Sequence, residues 1–260
     1  MLRMLSFAVA GLLLFTATGA DAQDKSRLHR ILSSGTLRVG TTGDFNPMTI
    51  RDPATQSYKG FEIDSATRLA NDLGVKVEFV PTDWKTLIAG IVADKYDIAM
   101  SGTSMNVKRA KAVGYTLPYA HVGTVPMTLK SSAGKFKSWA DANKSGIKVA
   151  VILGTVFEEQ AQAAFPNATI VKIEAPATAY QEVLSGRADV TITSNIDASK
   201  LVQKYTQLTT FGGGNLKNPR ALAYITAQED YTWINFLNNW VMMRKTSGFF
   251  DGLSTKWRLN

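Results

Sequence analysis

The chain has 260 residues, 45 % of them hydrophobic, a formal charge of +8, two histidines and no cysteine. Those counts exclude disulfides, thiolate metal sites and a cysteine nucleophile, and two separated histidines, His29 and His121, give no basis for a histidine metal centre or a Ser-His-Asp relay. The basic residues are scattered singly or in pairs, so the charge describes a solvated, anion-attracting surface and not a nucleic-acid-binding block.

Taken from the N-terminus, Arg3, the apolar run Leu5 to Phe15 and the small-residue sequence Ala20-Asp21-Ala22 read as a secretory signal over residues 1–22, with cleavage before Gln23. The apolar run is too short to span a bilayer, so a soluble periplasmic protein is expected. Strand-like and helical runs then alternate: a strand over Thr36 to Thr41, a helix over Ser65 to Leu73, a strand over Val75 to Pro81, a helix over Trp84 to Ala93 and a strand over Tyr96 to Ser101. Gly74 stops one helix and Thr82-Asp83 offers a cap for the next. The alternation restarts with a strand over Ile147 to Leu153, a helix over Glu158 to Ala164, a strand over Thr169 to Ile173, a helix over Ala179 to Leu184 and a strand over Ala188 to Thr193. Such βαβ alternation predicts an α/β chain of two lobes, each a mainly parallel sheet flanked by helices.

Two further extended runs, Gly123 to Lys130 and Ala221 to Ala227, separate the two sets. Read as parallel crossings, they divide the chain into lobe 1 (23–127, with a return over 226–260 in C-terminal helices) and lobe 2 (128–225). A cleft between lobes is a usual place for a small-molecule site.

The stretches Leu37-Arg38-Val39-Gly40-Thr41, Gly60-Phe61-Glu62-Ile63-Asp64, Tyr96-Asp97-Ile98-Ala99, Thr103 to Arg109 followed by Leu117-Pro118-Tyr119, Gly154-Thr155 and Gly186-Arg187-Ala188-Asp189 occur in an order and spacing that resembles the type II periplasmic amino-acid-binding proteins. Thr41-Thr42-Gly43-Asp44, Val80-Pro81-Thr82-Asp83-Trp84 and Asp97 to Gly102 resemble the secreted cyclohexadienyl dehydratases, a catalytic offshoot of those binders. The resemblance implies a monomeric two-lobed solute-binding protein that holds a small organic anion for an inner-membrane ABC permease, without cofactor or metal; a dehydratase is the alternative.

Residue by residue, the resemblance makes Arg109 the carboxylate-binding arginine, and a guanidinium does offer two parallel N–H donors. Ser101, Gly102, Thr103 and Ser104 stand where a strand gives way to a helix, a place where backbone donors and the helix dipole favour an anion; the same residues would also serve as a turn and cap. Gly154, Thr155 and Val156 would supply a second set of donors from lobe 2, coupling closure to binding. Phe45 and Trp84 would be aromatic walls, though Trp84 also begins an amphipathic helix and could be core. Glu158 stands where the dehydratases carry their general acid, a role that requires burial to raise its pKa; at a helix start it could equally be a cap.

One departure bears on the ligand. Amino-acid binders carry an aspartate for the α-ammonium where this chain has Ser194, and a second cleft carboxylate of basic-amino-acid binders is replaced by Thr42. An unpaired desolvated ammonium costs several kcal/mol, so the expectation shifts to a carboxylate lacking the α-amino group, or a dianion, unless Asp44 substitutes.

Overall fold

A computed structural model describes residues 26–259, so the expected signal segment lies outside the described residues. In chain order these form α1 (Arg27–Ser34), β1 (Thr36–Thr41), β2 (Asp44–Phe45), β3 (Thr49–Arg51), β4 (Tyr58–Lys59), α2 (Phe61–Leu73), β5 (Lys76–Pro81), α3 (Leu87–Val92), β6 (Ile98–Ala99), α4 (Val107–Ala110), β7 (Gly114–Tyr115) and β8 (Ala120–Leu129). There follow β9 (Lys148–Ile152), α5 (Val156–Ala164), β10 (Thr169–Ile173), α6 (Ala179–Leu184), β11 (Val190–Ser194), α7 (Asn195–Lys204), β12 (Leu208–Thr210), β13 (Lys217–Leu222), β14 (Ile225–Thr226), α8 (Tyr231–Thr246) and α9 (Phe249–Trp257).

Strand β1 matches its expected limits, whereas β6 is only Ile98–Ala99 within the expected Tyr96 to Ser101. The residues flanking β6 still follow the sheet, since the Asp97 and Met100 amides donate to the Arg38 and Gly40 carbonyls. Helix α2 starts four residues before the apolar period becomes visible, because Gly60 at φ 138° turns the chain and the Phe61 amide donates to the Pro47 carbonyl. Helix α3 starts three residues later than expected: the Asp83 carboxylate accepts from the Thr86 amide at 2.8 Å, so the cap lies one turn before the regular helix.

The chain forms a two-lobed α/β fold built on two mixed sheets. The first has the strand order β5-β1-β6-β14-β7; β5, β1 and β6 run parallel and β14 runs antiparallel to both of its neighbours. The second has β10, β9 and β11 parallel, β8 antiparallel to β11, and β12 and β13 sharing the other edge of β8. The central parallel strands β1, β6, β9 and β11 are mostly buried on both faces, and successive residues feed opposite cores. Ile98 and Met100 pack in one cluster and Ala99 in another; Val149 and Val151 pack on one side of the second sheet and Ala150 on the other.

The connection between lobes differs from the sequence reading in two ways. Strand β8 is paired in the second sheet from Ala120 onward, ahead of the expected boundary at 127. Strands β8 and β13, which overlap the two extended runs, also lie antiparallel, with Arg220 opposite Val122 and Leu222 opposite Ala120. A chain that leaves a lobe and returns beside its own path must reverse direction, which the expected parallel crossing does not allow for. Among the described residues no helix is long and apolar enough to cross a membrane.

Candidate functional site

The C-terminal ends of the parallel strands in both sheets face a cavity between the lobes, the place where open α/β sheets leave a crevice. It has about 830 Å³ of space between its walls, open on one side to solvent. Asp44 and Phe45 reach it from β2, Trp84 from the turn before α3, Gly102 and Ser104 from the segment after β6, Arg109 from α4, and Thr155 and Val156 from the start of α5. Eight of the residues singled out in the sequence therefore converge on one space.

Arg109 is half-buried. Its guanidinium donates to the Ser104 carbonyl at 3.2 Å and, across the cleft, to the Gly154 carbonyl at 3.1 Å. Gly154 has φ +80°, and a Cβ there would lie 2.8 Å from the backbone of Trp84 and Lys85, so glycine alone lets the lobe 2 turn meet lobe 1. The described conformation is thus a closed one. Trp84 serves both readings given for it: it packs against the Leu87–Tyr96 core cluster and also lines the cavity, where its indole donates to the Asp44 carboxylate at 2.9 Å and its ring lies 6.5 Å from that of Phe45.

Several of the expected donor groups are already engaged within the protein. The Ser101 hydroxyl accepts from the Thr42 amide at 3.0 Å, and the Thr103 carbonyl accepts from the Ala223 amide at 3.1 Å. The Gly102 amide donates at 3.0 Å to Glu62, which also accepts from the Tyr119 hydroxyl. Burial pushes the Glu62 carboxyl up to about 8, so at neutral pH a mostly protonated acid holds this turn from beneath. The Gly154 amide donates to Glu158 and the Thr155 amide to the Ile152 carbonyl, so these two donors are used within lobe 2. Ser194 is fully buried behind the cavity wall, where its hydroxyl caps α7 by accepting from the Asp197 amide.

Glu158 does not line the main cavity; it faces a neighbouring surface groove with Lys108 and Glu159. Desolvation works to raise its pKa, but the Lys172 ammonium at 2.7 Å and the Gly154 amide at 3.0 Å outweigh that and hold it below the ordinary glutamate value. A general acid needs the opposite, and the groove position separates Glu158 from any ligand in the main cavity.

Among the cavity residues not found from the sequence, three bear on its chemistry. Asp197 is the third residue of α7 and lies one helical turn past Ser194, far enough along the chain to look misplaced and near enough in space to reach the cavity. The Ser194-x-x-Asp197 spacing was its signal, since it marks a helix start. Arg220 points in from β13; a charge at the edge of an apolar crossing run was the only hint. Phe157 forms part of the wall, with the Arg220 guanidinium 5.0 Å from its ring centroid. The ammonium-binding half judged absent from the sequence therefore has two candidate carboxylates, Asp44 and Asp197.

The electrostatics of the four charged wall residues agree in sense. Desolvation lowers the pKa of Arg109 and lowers that of Arg220 to about 10, the latter helped by the neighbouring charge of Arg109. Desolvation raises Asp44, although its side chain is open to the cleft, against the hydrogen bond from Trp84. Asp197 is raised to about 7 by desolvation, against a 2.8 Å hydrogen bond from Thr193 and with added repulsion from Asp44. All four shifts run toward the neutral form. Among the described residues none of the four is ion-paired, whereas the nearby surface charges Lys85, Lys108 and Lys172 pair with Glu174, Glu159 and Glu158.

Comparison with known proteins places this arrangement. Cyclohexadienyl dehydratase from Pseudomonas aeruginosa is 32 % identical over 255 residues, covering 98 % of this chain and 94 % of that protein. The L-cystine-binding protein TcyJ of Escherichia coli K12 is 26 % identical, covering 90 % and 86 %. Among solved structures, the ancestral amino acid-binding protein AncCDT-1, described as a precursor of cyclohexadienyl dehydratase, superposes with a TM-score of 0.83 at 39 % identity, covering 89 % of this chain and 99 % of that one. An ancestral arginine-binding protein bound to arginine gives 0.77 at 29 %, covering 86 % and 98 %. With the family profile matched over residues 37–260, the chain belongs to the bacterial extracellular solute-binding proteins, family 3.

Proposed function

We propose that this protein is the periplasmic receptor of an ABC importer, acting as a monomer, and that its cleft holds a small amino acid with the carboxylate at Arg109 and the ammonium at Asp197 and Asp44. The observation that carries this reading is that two guanidiniums and two carboxylates face one cavity without an ion-pair partner among the described residues. Each desolvated, unpaired ion costs on the order of several kcal/mol; Arg109, Arg220 and Asp197 bear that cost, and exposed Asp44 bears less of it. A ligand bearing both a carboxylate and an ammonium relieves both ends at once. A carboxylate without an amino group, favoured by the Ser194 position alone, would relieve only the arginine end.

The amino-acid and cystine binders among the relatives support this reading. Binding would also stabilise the closed form, because Arg109 already bridges to Gly154 across the cleft. The test is a thermal-shift screen of free amino acids on the full chain. A ligand at a hundred times its Kd adds about 2.7 kcal/mol, or roughly 5–10 °C for a protein of this size; Arg109→Ala should abolish that shift, and an unchanged shift would remove Arg109 from the site.

The 32 % identity to a cyclohexadienyl dehydratase supports a second reading. In that case the acid would be Asp197, the cavity carboxyl raised to about 7, in place of Glu158. Incubation with prephenate, scored for phenylpyruvate, separates the two: product formation that is lost on Asp197→Asn makes the protein an enzyme, and no product leaves the receptor reading.

A further inference from the structure

Arg109 meets the ordinary need of an amino-acid site for one carboxylate receptor, which leaves Arg220 unexplained. Its Nε donates to the Ser104 hydroxyl at 2.8 Å, and its Nη1 donates to the Thr124 hydroxyl at 2.7 Å and the Asn218 carbonyl at 3.2 Å. These partners are all neutral oxygens. Among the described residues Nη2 has no protein partner, and the flat face of the group is backed by Phe157. Arg220 is therefore fixed in direction by neutral groups while its charge stays open to the cavity.

The two guanidiniums also share an anchor. Arg109 holds the Ser104 carbonyl and Arg220 holds the hydroxyl of the same residue. That puts two like charges at one end of the cavity, with Val122 and Phe157 as apolar walls and no carboxylate in ion-pair contact with either. Asp44 and Asp197 are near one another but pair with neither arginine. A ligand with a single carboxylate brings one negative charge to two positive ones. In a site of low dielectric the uncompensated cation remains costly.

We infer that Arg220 receives a second anionic group of the ligand, so that the cleft selects an acidic amino acid, with its α-carboxylate at Arg109 and its side-chain carboxylate at Arg220. The inference rests on the amino-acid reading above and narrows it. It also accounts for the placement of Arg220 on the return crossing: a ligand anion there would touch the residue that ties Ser104 of the first lobe to Thr124 of β8.

The experiment compares acids with their near-isosteric amides. The full chain is titrated calorimetrically with L-glutamate, L-glutamine, L-aspartate, L-asparagine and L-arginine. A charge-assisted contact from Nη2, made to a full negative charge only by the acid, predicts that one acid binds more tightly than its amide by roughly ten- to a hundredfold. Arg220→Met should collapse that ratio to within about threefold by weakening the acid, and Arg220→Lys should keep a preference for the acid. Equal affinity for acid and amide in the parent protein, or an equal loss of both in Arg220→Met, overturns the inference and makes Arg220 a tether or a second clamp on one carboxylate. Binding of arginine or glutamine without either acid overturns it while leaving the amino-acid reading intact; binding of none of the five defeats both. Melting of each unliganded variant is followed in parallel. If Arg220→Met does not fold, the acid-to-amide ratios of the parent and Arg220→Lys decide the question.

Discussion

Glu158 and Asp197 occupy the same place in two neighbouring βα units. Each is the third residue of the helix that follows a parallel strand of the second sheet, α5 after β9 and α7 after β11. Both should gain from the helix dipole, by about 0.3–1 kcal/mol at an exposed site. Their ionisation nevertheless moves in opposite directions, down for Glu158 and up to about 7 for Asp197. Glu158 turns to the Lys172 ammonium and the Gly154 amide, whereas Asp197 turns into the cavity, where it finds the Thr193 hydroxyl and the repelling charge of Asp44. A desolvation cost of several kcal/mol exceeds the dipole contribution. The comparison teaches that position in a βα unit offers a carboxylate to the cleft, while the nearest charge decides whether it is a structural anion or one that awaits a cation.

The largest expected effect comes from neutralising each acid in turn. Asp197→Asn removes the proposed ammonium partner and should weaken amino-acid binding by at least roughly thirtyfold, the consequence of losing about 2 kcal/mol from a buried charged contact. Glu158→Gln should leave affinity within about threefold. Calorimetry on both variants checks this, and the reverse ranking would transfer the binding role to Glu158.

Stability against pH separates them next. An acid with a raised folded pKa binds more protons in the folded state than in the unfolded one, so stability falls as pH rises from the unfolded value toward the folded value. For Asp197 that window runs from about 4, the ordinary aspartate value, to about 7, and buried Glu62 extends the same trend to about 8. Glu158 acts with the opposite sign, its contribution being present above the ordinary glutamate value and lost in acid. The melting temperature of the unliganded protein should therefore decline between pH 5 and 8, with Asp197→Asn flattening the part below about 7. A flat wild-type profile over that range would show that these carboxyls are better solvated than the closed cleft implies. Amino-acid affinity should rise over the same interval, since the ammonium favours the ionised form.

The smallest effect belongs to Lys172→Met, which frees Glu158. The ammonium side is 45 % exposed, so the pair is worth about 0–1 kcal/mol. That is a loss of no more than roughly 4 °C in melting temperature, with ligand affinity unchanged. A larger fall, or a change in affinity, would mean that the groove and the main cavity are coupled.

Much of the cavity wall was legible because it lies on short segments whose chemistry is local. Asp44 and Phe45 follow a glycine turn, Trp84 opens a helix, and Gly102, Ser104 and Arg109 follow a strand end in a spacing that resembles a family; all line the cavity. Local sequence does not state, however, which of several hydrogen-bonding groups is already used. Gly102, Gly154 and Thr155 looked like free donors, but Glu62, Glu158 and the Ile152 carbonyl take their amides. Arg220 was hidden for a different reason: it is remote from Arg109 in sequence, and only the antiparallel pairing of β13 with β8 brings it to Ser104.

The sequence by itself determined the alternation of strands and helices, the two-lobed α/β class and the family, because periodicity, caps and short motifs are properties of a few consecutive residues. Tertiary structure alone decided which way the crossings run and which amides are spent. It also decided that Ser194 caps a helix while Asp197 faces the cleft, and that four charges share a cavity without an ion-pair partner among the described residues. Those outcomes depend on burial and on contacts between distant segments, and the free energy of a charge is set by what surrounds it in space.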